Sequence, residues 1–173
     1  MLRRVCPLLF AGMVLAIPAR ASAQSVPQWY DGHVSLSGGV SIYDRSGTGT
    51  MGIYALRADM PVYPNLLVEA GLSYARRGHD PRFGDLFIPG IQAQLQGLSE
   101  RFNPYVGMGA GVTVERRDGA VEDDVSFAPS FSAGVRIAIA DGVGFRMEGR
   151  LHGVGANFRG VYSEMTGGLS VSW

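Results

Sequence analysis

The sequence contains no lysine, and its only cysteine is Cys6. The 15 basic residues are therefore all arginine, and they balance 15 acidic residues to give a formal net charge of zero. A balanced charge supplies no electrostatic basis for binding a polyanion, which excludes a basic nucleic-acid-binding protein. A single cysteine also excludes a framework of disulfides within the chain.

Long apolar runs and helical periodicity are absent after residue 23. No stretch of 18 residues there is free of charge, so a helical membrane protein is excluded. The chain of 173 residues is 46% hydrophobic and 17% charged, which indicates a single folded domain rather than a disordered chain. Its 25 glycines, about twice the usual share, indicate close backbone packing and many turns.

The N-terminus has the features of a secretory signal. Arg3 and Arg4 precede an apolar run from Val5 to Pro18, and Ala21-Ser22-Ala23 provides small residues for cleavage. The apolar run is shorter than the ~20 residues of a spanning helix. We therefore predict a cleaved signal at 1–23, which removes Cys6, and one domain at 24–173.

The rest of the chain alternates with a period of two. In the first segment Val34, Leu36 and Val40 alternate with Ser35 and Ser37, which gives one apolar and one polar face. Seven further segments repeat this pattern, each about as long as the ~9 to 11 residues of a tilted transmembrane strand. The predicted strands lie at about 33–43, 51–63, 65–77, 86–96, 104–116, 126–140, 143–154 and 163–173.

The connections between these segments alternate in length. Those at 63–65, 97–103 and 140–142 are shorter, and those at 44–50, 78–85, 117–125 and 155–162 are longer and polar. Short turns at the periplasmic end and longer loops outside are the plan of an outer-membrane barrel. The predicted fold is therefore all-β, an eight-stranded antiparallel up-and-down transmembrane barrel with both termini in the periplasm.

Alternation alone does not say which face lies inside, and a secreted lipocalin-like carrier would turn its apolar face inward. The polar face carries charges of both signs together with glycines that leave room for long arginine side chains. We therefore predict a polar lumen with paired charges. The predicted lumen residues are Arg57, Asp59, Glu69, Glu115, Arg136, Arg146, Glu148, Arg150, His152 and Glu164.

Two strands carry a family resemblance, Pro104–Val112 and the C-terminal Gly168–Trp173. Over residues 28–173 the chain resembles the small outer-membrane β-barrel family that includes the OmpA membrane domain and the OmpX and Ail group. The resemblance implies a monomer in outer-membrane lipid, inserted by the barrel assembly machinery, with Gly168, Leu169, Val171 and Trp173 as the C-terminal assembly signal. Gly167 stands where that signal usually has a polar residue. We expect no peptidoglycan-binding domain after Trp173, so the resemblance does not imply an OmpA-like envelope tether.

That family also contains lipid A deacylases and palmitoyl transferases, so a lipid A-modifying enzyme is an alternative. The deacylase pattern is His-x-Ser, whereas His152 is followed by Gly153 and Val154 and falls on the lumen face. Ser46, His79 and Asp80 are read as ordinary loop residues. We expect no enzyme activity, no cofactor and no metal site. A solute pore is a further alternative, but side chains fill an eight-stranded interior.

Arginines cluster near two of the predicted outer loops. Arginine pairs bidentately with phosphate, and lipopolysaccharide phosphates lie at this height, although rim salt bridges would explain the same cluster. The predicted lipopolysaccharide contacts are Arg76, Arg77, Arg82, Arg116 and Arg117. We therefore expect a non-enzymatic outer-membrane protein that acts through its surface loops or in envelope integrity.

Overall fold

The computed structural model describes residues 31–44, 49–76, 85–97, 99, 101–116, 124–154 and 160–173. The predicted signal at 1–23 lies outside the described residues, as do the segments 45–48, 77–84, 117–123 and 155–159 that follow alternate strands. None of the described residues forms a helix long and apolar enough to cross a membrane.

Eight antiparallel strands form one closed barrel in which each strand pairs with its neighbours in sequence and β8 pairs with β1. Closure leaves no sheet edge unpaired. The predicted all-β, up-and-down fold is confirmed. The strands are β1 His33–Asp44, β2 Gly49–Tyr63, β3 Leu66–Arg76, β4 Asp85–Gln96, β5 Phe102–Arg116, β6 Asp124–Ala140, β7 Val143–Val154 and β8 Gly160–Ser172.

Side chains alternate between the lumen and the outer surface along each strand. On β2, Arg57 and Asp59 are buried at 2% exposure, whereas Leu56 and Met60 are 43% and 55% exposed. An outer surface of large apolar side chains suits lipid, and it leaves the polar face inside. The lipocalin-like alternative is therefore wrong, because it would bury the apolar face.

The two ends of the barrel differ in their connections. Residues 64–65, 97–101 and 141–142 link strands at one end, which we call the short-turn end. Both shifts of register also lie there, between Pro61 and Tyr63 and between Ala138 and Ala140. The strand ends that flank residues 45–48, 77–84, 117–123 and 155–159 form the opposite end, which we call the long-connection end.

The lumen contains paired charges as predicted, and one end of it also contains an apolar part that the alternation did not indicate. At the long-connection end, seven buried apolar or aromatic side chains meet in one cluster, which we call the apolar layer. Tyr162 belongs to strand β8, although the sequence placed it at the end of a loop. The layer consists of Met51, Ile53, Ala75, Leu86, Ile88, Val154 and Tyr162.

Candidate functional site

Charged side chains fill the lumen between the apolar layer and the short-turn end. Four arginines face four carboxylates there, and each side chain is 6% exposed or less. Equal numbers of opposite charges let the group be buried without an excess of either sign, which would be costly. This lumen network consists of Arg57, Arg136, Arg146, Arg150, Asp59, Glu69, Glu148 and Glu164.

Glu148 on β7 joins several members of the network. Its carboxylate pairs with Arg146, with Arg150 Nη2 at 2.8 Å and with Arg57 Nε at 3.4 Å. The Tyr105 hydroxyl donates a hydrogen bond of 2.7 Å to Glu148 Oε2. Because so many donors converge on it, removal of this carboxylate would leave several buried donors unpaired.

Glu69 on β3 links the two sides of the barrel. Arg150 Nη2 lies 2.7 Å from Glu69 Oε1, and Arg146 Nη2 lies 2.6 Å from Oε2. The side-chain amides of Gln92 and Gln94 donate to the same carboxylate at 3.0 and 2.8 Å. The two glutamines of β4 therefore supply further hydrogen bonds to a carboxylate on the adjacent strand β3.

Asp59 contacts His33 Nδ1 at 2.8 Å and Arg136 Nη2 at 3.0 Å. This group lies toward the short-turn end, where His33 begins β1 and Asp59 is its register partner. Asp59 therefore anchors Arg136, which comes from β6, to the β1–β2 pair.

Of the four carboxylates in the lumen network, Glu164 lies nearest the apolar layer, two residues from Tyr162 on β8. It accepts from Arg57 Nη2 at 3.0 Å and from Ser73 Oγ at 3.1 Å, and His152 Nε2 lies 2.8 Å from its other oxygen. His152 is therefore buried against a carboxylate inside the lumen, away from the lipid-facing surface.

Tyr105 is a network partner that the sequence reasoning left out. Its ring lies under Arg136 and Arg146, whose guanidinium carbons are 4.4 and 5.1 Å from the ring centroid. The alternation of polar and apolar residues along β5 placed Tyr105 on the polar face. No sequence signal, however, distinguishes a tyrosine that bridges buried charges from one at the membrane–water interface. His33, Ser73, Gln92 and Gln94 were missed for the same reason.

Two glycines make room for these contacts. A Cβ on Gly134 would lie 2.5 Å from the Tyr105 hydroxyl oxygen, and one on Gly71 would lie 2.9 Å from Arg57 Nη1. Both distances are shorter than a van der Waals contact. These two glycines on the polar face therefore leave room for the long side chains of the lumen, as the sequence suggested.

Of the ten predicted lumen residues, Glu115 stands apart. It is buried, but it lies one residue from the end of β5 and its register partner on β4 is Leu86 of the apolar layer. It therefore lies at the long-connection end, level with Leu86 of the apolar layer.

The predicted lipopolysaccharide contacts Arg76 and Arg116 lie at the long-connection end, whereas Arg77, Arg82 and Arg117 lie outside the described residues. Arg116 is the register partner of Asp85, and Arg76 follows the last β3–β4 pair, Ala75–Leu86, on the other side of Asp85. Both arginines are exposed. The two cations therefore flank one carboxylate on the outward face of three adjacent strands.

The residues of the predicted assembly signal lie in or beside the closing strand. Leu169 and Trp173 are 57% and 72% exposed, Val171 is half-buried and Gly168 is turned inward. The Trp173 backbone N–H donates to the Gly32 carbonyl oxygen at 3.0 Å. The last aromatic side chain is thus at the outer surface of the short-turn end, where the aromatic girdle of a transmembrane barrel lies.

Within the described part of the chain, no group of three or more His, Cys, Asp or Glu side chains is arranged to hold a metal ion.

The family model for the outer membrane protein beta-barrel domain matches residues 8–173. The chain belongs to this outer-membrane β-barrel family. No curated protein matches the sequence.

Solved structures of the same fold come from functionally different members. Neisserial surface protein A has a TM-score of 0.69 at 16% identity, over 82% of this chain and 97% of that one. Ail, the attachment invasion locus protein of Yersinia pestis, has a TM-score of 0.58 at 16% identity, over 83% and 99%. The outer membrane enzyme PagL has a TM-score of 0.50 at 15% identity, over 82% and 99%. At these identities the likeness shows the fold, and the function must be argued from the residues.

Proposed function

We propose that this chain is a non-enzymatic outer-membrane protein that acts at the outer surface by holding the phosphates of lipopolysaccharide. In this proposal a cleaved signal at 1–23 exports the chain, the barrel assembly machinery inserts it, and it works as a monomer. The observation that carries the proposal is the pair of exposed arginines that flank Asp85 at the long-connection end.

The rim suits an anionic ligand for two reasons. Two exposed guanidinium groups lie on the same face of β3 and β5, the strands on either side of β4, and a guanidinium presents parallel donors that match phosphate oxygens. The Tyr74 hydroxyl donates to Asp85 Oδ2 at 3.1 Å and so takes up part of the hydrogen-bonding capacity of that carboxylate. Long connections face the outside in this class of barrel, which supports contact with the outer leaflet.

Two features argue against the alternatives. His152 is 4% exposed and is paired with Glu164 inside the lumen, which does not favour catalysis on a lipid. The lumen network and the apolar layer fill the interior between them, which does not favour a solute pore. The barrel then serves as an anchor that holds the outer surface in position.

The test measures binding of lipid A to the folded protein in detergent by native mass spectrometry. Replacing Arg76 and Arg116 together with glutamine should weaken binding of bisphosphorylated lipid A by about tenfold, because two charge-assisted contacts are lost. Binding of a dephosphorylated lipid A should change little. Arg101→Gln, an exposed arginine at the short-turn end, is the matched control.

The same samples test for enzyme activity. After prolonged incubation the bound and free lipid A should keep its original mass. Loss or gain of an acyl chain would contradict the non-enzymatic proposal. Equal binding of phosphorylated and dephosphorylated lipid A would show that the rim arginines form ordinary salt bridges and do not bind the phosphates.

A further inference from the structure

The lipid-facing surface contains an apolar groove across β3, β4 and β5. Its volume is about 430 Å³, within the size range of small-molecule sites, roughly 300 to 1,000 Å³. Most of the surrounding belt carries large side chains, such as Met108 and Met165, which are both 68% exposed. The groove is lined by Ala70, Gly71, Pro89, Gly90, Ala110 and Gly111, among others.

The register explains why the wall is thin here. Gly71 pairs with Gly90, and Gly90 pairs with Gly111, so three adjacent strands carry glycine in one row. Beside this row the outward positions Ala70, Pro89 and Ala110 are occupied by small side chains. The inner face of the wall therefore lacks side chains along this row, and on the outer face the larger Ile91 and Val112 border the groove beside these small residues.

Pro89 also interrupts the ladder that crosses the groove. The β4–β5 pairing passes from Phe87–Val114 to Gly90–Gly111. Proline has no N–H to donate to a ladder, which explains the interruption. The groove is thus built into the backbone and does not depend on the rotamer of one side chain.

The groove lies directly below the arginine rim on the same strands. Pro89 is four residues from Asp85, the first residue of β4, which at ~3.3 Å per residue and a tilt of ~45° is a depth of about 9 Å. The hydrocarbon core is ~30 Å thick, so this depth falls in the outer leaflet. Between rim and groove, Tyr74 and Phe87 stack with ring centroids 4.9 Å apart.

We infer that the groove and the rim form one site for a single lipid A molecule, with a phosphate at Arg76 and Arg116 and one acyl chain in the groove. This inference rests on the proposed function for the phosphate contact and adds the acyl contact. An acyl chain fits because the lining is apolar and a flexible chain fills space that would otherwise lack contacts. Since lipid tails and the barrel surface are equally apolar, the gain is one of packing.

The experiment fills the groove without touching the rim. Ala110→Phe places a large side chain in the groove, and Ala133→Phe places the same side chain on β6, outside the groove, at another outward-facing alanine. Binding of bisphosphorylated hexa-acylated lipid A to the folded protein in detergent is measured by native mass spectrometry. A shift of gel mobility on heating confirms that each variant is folded.

We expect Ala110→Phe to weaken lipid A binding by about tenfold, an estimate based on the loss of packing along one chain, and Ala133→Phe to leave it unchanged. Ala110→Phe should still prefer phosphorylated over dephosphorylated lipid A, because the rim is intact. Equal binding by the two phenylalanine variants would overturn the groove assignment, even if the Arg76 and Arg116 variant still binds weakly.

Phosphatidylglycerol serves as the competing lipid. It carries one phosphate and acyl chains, so it tests whether the site selects lipid A. Wild-type protein should retain lipid A in preference to phosphatidylglycerol at equal concentration. Equal retention of both lipids, or equal loss of both in Ala110→Phe, would overturn the assignment to lipid A.

Discussion

The Tyr105 hydroxyl reaches Glu148 across the strand that separates them. Tyr105 lies on β5 and Glu148 on β7, and the register partner of both is Gly134 on β6. Because Gly134 has no side chain, the phenol passes over it and donates its 2.7 Å hydrogen bond. The Tyr105 oxygen also accepts from Arg146 Nε at 2.8 Å, so one hydroxyl connects a cation and an anion.

Removal of the Glu148 carboxylate should strongly destabilise the barrel. Glu148→Ala leaves four buried arginines facing three carboxylates in the lumen network, and breaking a buried pair costs about 3 to 5 kcal/mol. The measurement is the free energy of unfolding in urea, in detergent or lipid. Asp141→Asn, on an exposed turn, should stay near wild type. Equal midpoints for the two variants would contradict the lumen network.

Loss of the Tyr105 hydroxyl alone should have a smaller effect. Tyr105→Phe keeps the ring under Arg136 but removes a hydrogen bond to a charged group, worth about 1.5 to 3 kcal/mol. Gly134→Val should cost at least as much, because its Cβ would lie 2.5 Å from the hydroxyl oxygen. A double variant, Tyr105→Phe with Gly134→Val, should lose less than the sum of the two, because valine at 134 already displaces the hydroxyl from Glu148 and its removal then costs little more. Strict additivity would show that the two residues do not interact.

The lumen should be closed to water-soluble reagents and ions at the apolar layer. Residues 24–173 contain no cysteine, so Ile53→Cys introduces a single thiol at a position that is 1% exposed. We expect it to react with a charged thiol reagent at least about a hundredfold more slowly than Asp141→Cys, since reaction requires local opening. Planar-bilayer recordings should show no large stable channel. Fast labelling together with steady conduction would contradict a filled lumen.

Changes at Trp173 should reduce insertion and leave export intact. Trp173→Asp places a charge where an interfacial aromatic lies, and it removes a ring that packs against Gly32. The mass of the exported protein should still correspond to a chain that starts at Gln24. The amount of folded, heat-modifiable protein in the outer membrane should fall sharply. Trp173→Phe should keep most of it. Folded, soluble Trp173→Asp protein in the periplasm at the wild-type level would contradict the role of this strand.

The strands could be predicted from the sequence because polar and apolar residues alternate clearly where the lumen is charged. On β7, Arg146, Glu148 and Arg150 alternate with apolar neighbours, and the predicted strand 143–154 agrees with the structure. At the long-connection end Leu86 and Ile88 are apolar on the inward face as well, so alternation no longer separates the two faces. The apolar layer therefore could not be read from periodicity.

The partners within the lumen could be predicted as a set but not as pairs. Arg57 and Glu164 are separated by 107 residues and meet across the β1 strand that lies between β2 and β8. Such contacts depend on the register and on the diameter of the closed barrel, which alternation does not specify. Arg76 and Arg116 were likewise predicted near the rim, whereas their position on either side of Asp85 required the strand register.

The contact between Arg150 and Glu69 also limits how this barrel can change its number of strands. β7 and β3 are four strands apart in either direction around the ring of eight, so their 2.7 Å contact crosses the full width of the lumen. The diameter of a barrel grows with its strand number. Duplication of one hairpin would draw these charges apart and break the ion pair that joins the two sides of the lumen. A ten-stranded descendant of this chain would therefore need a new set of interior side chains before it could be stable.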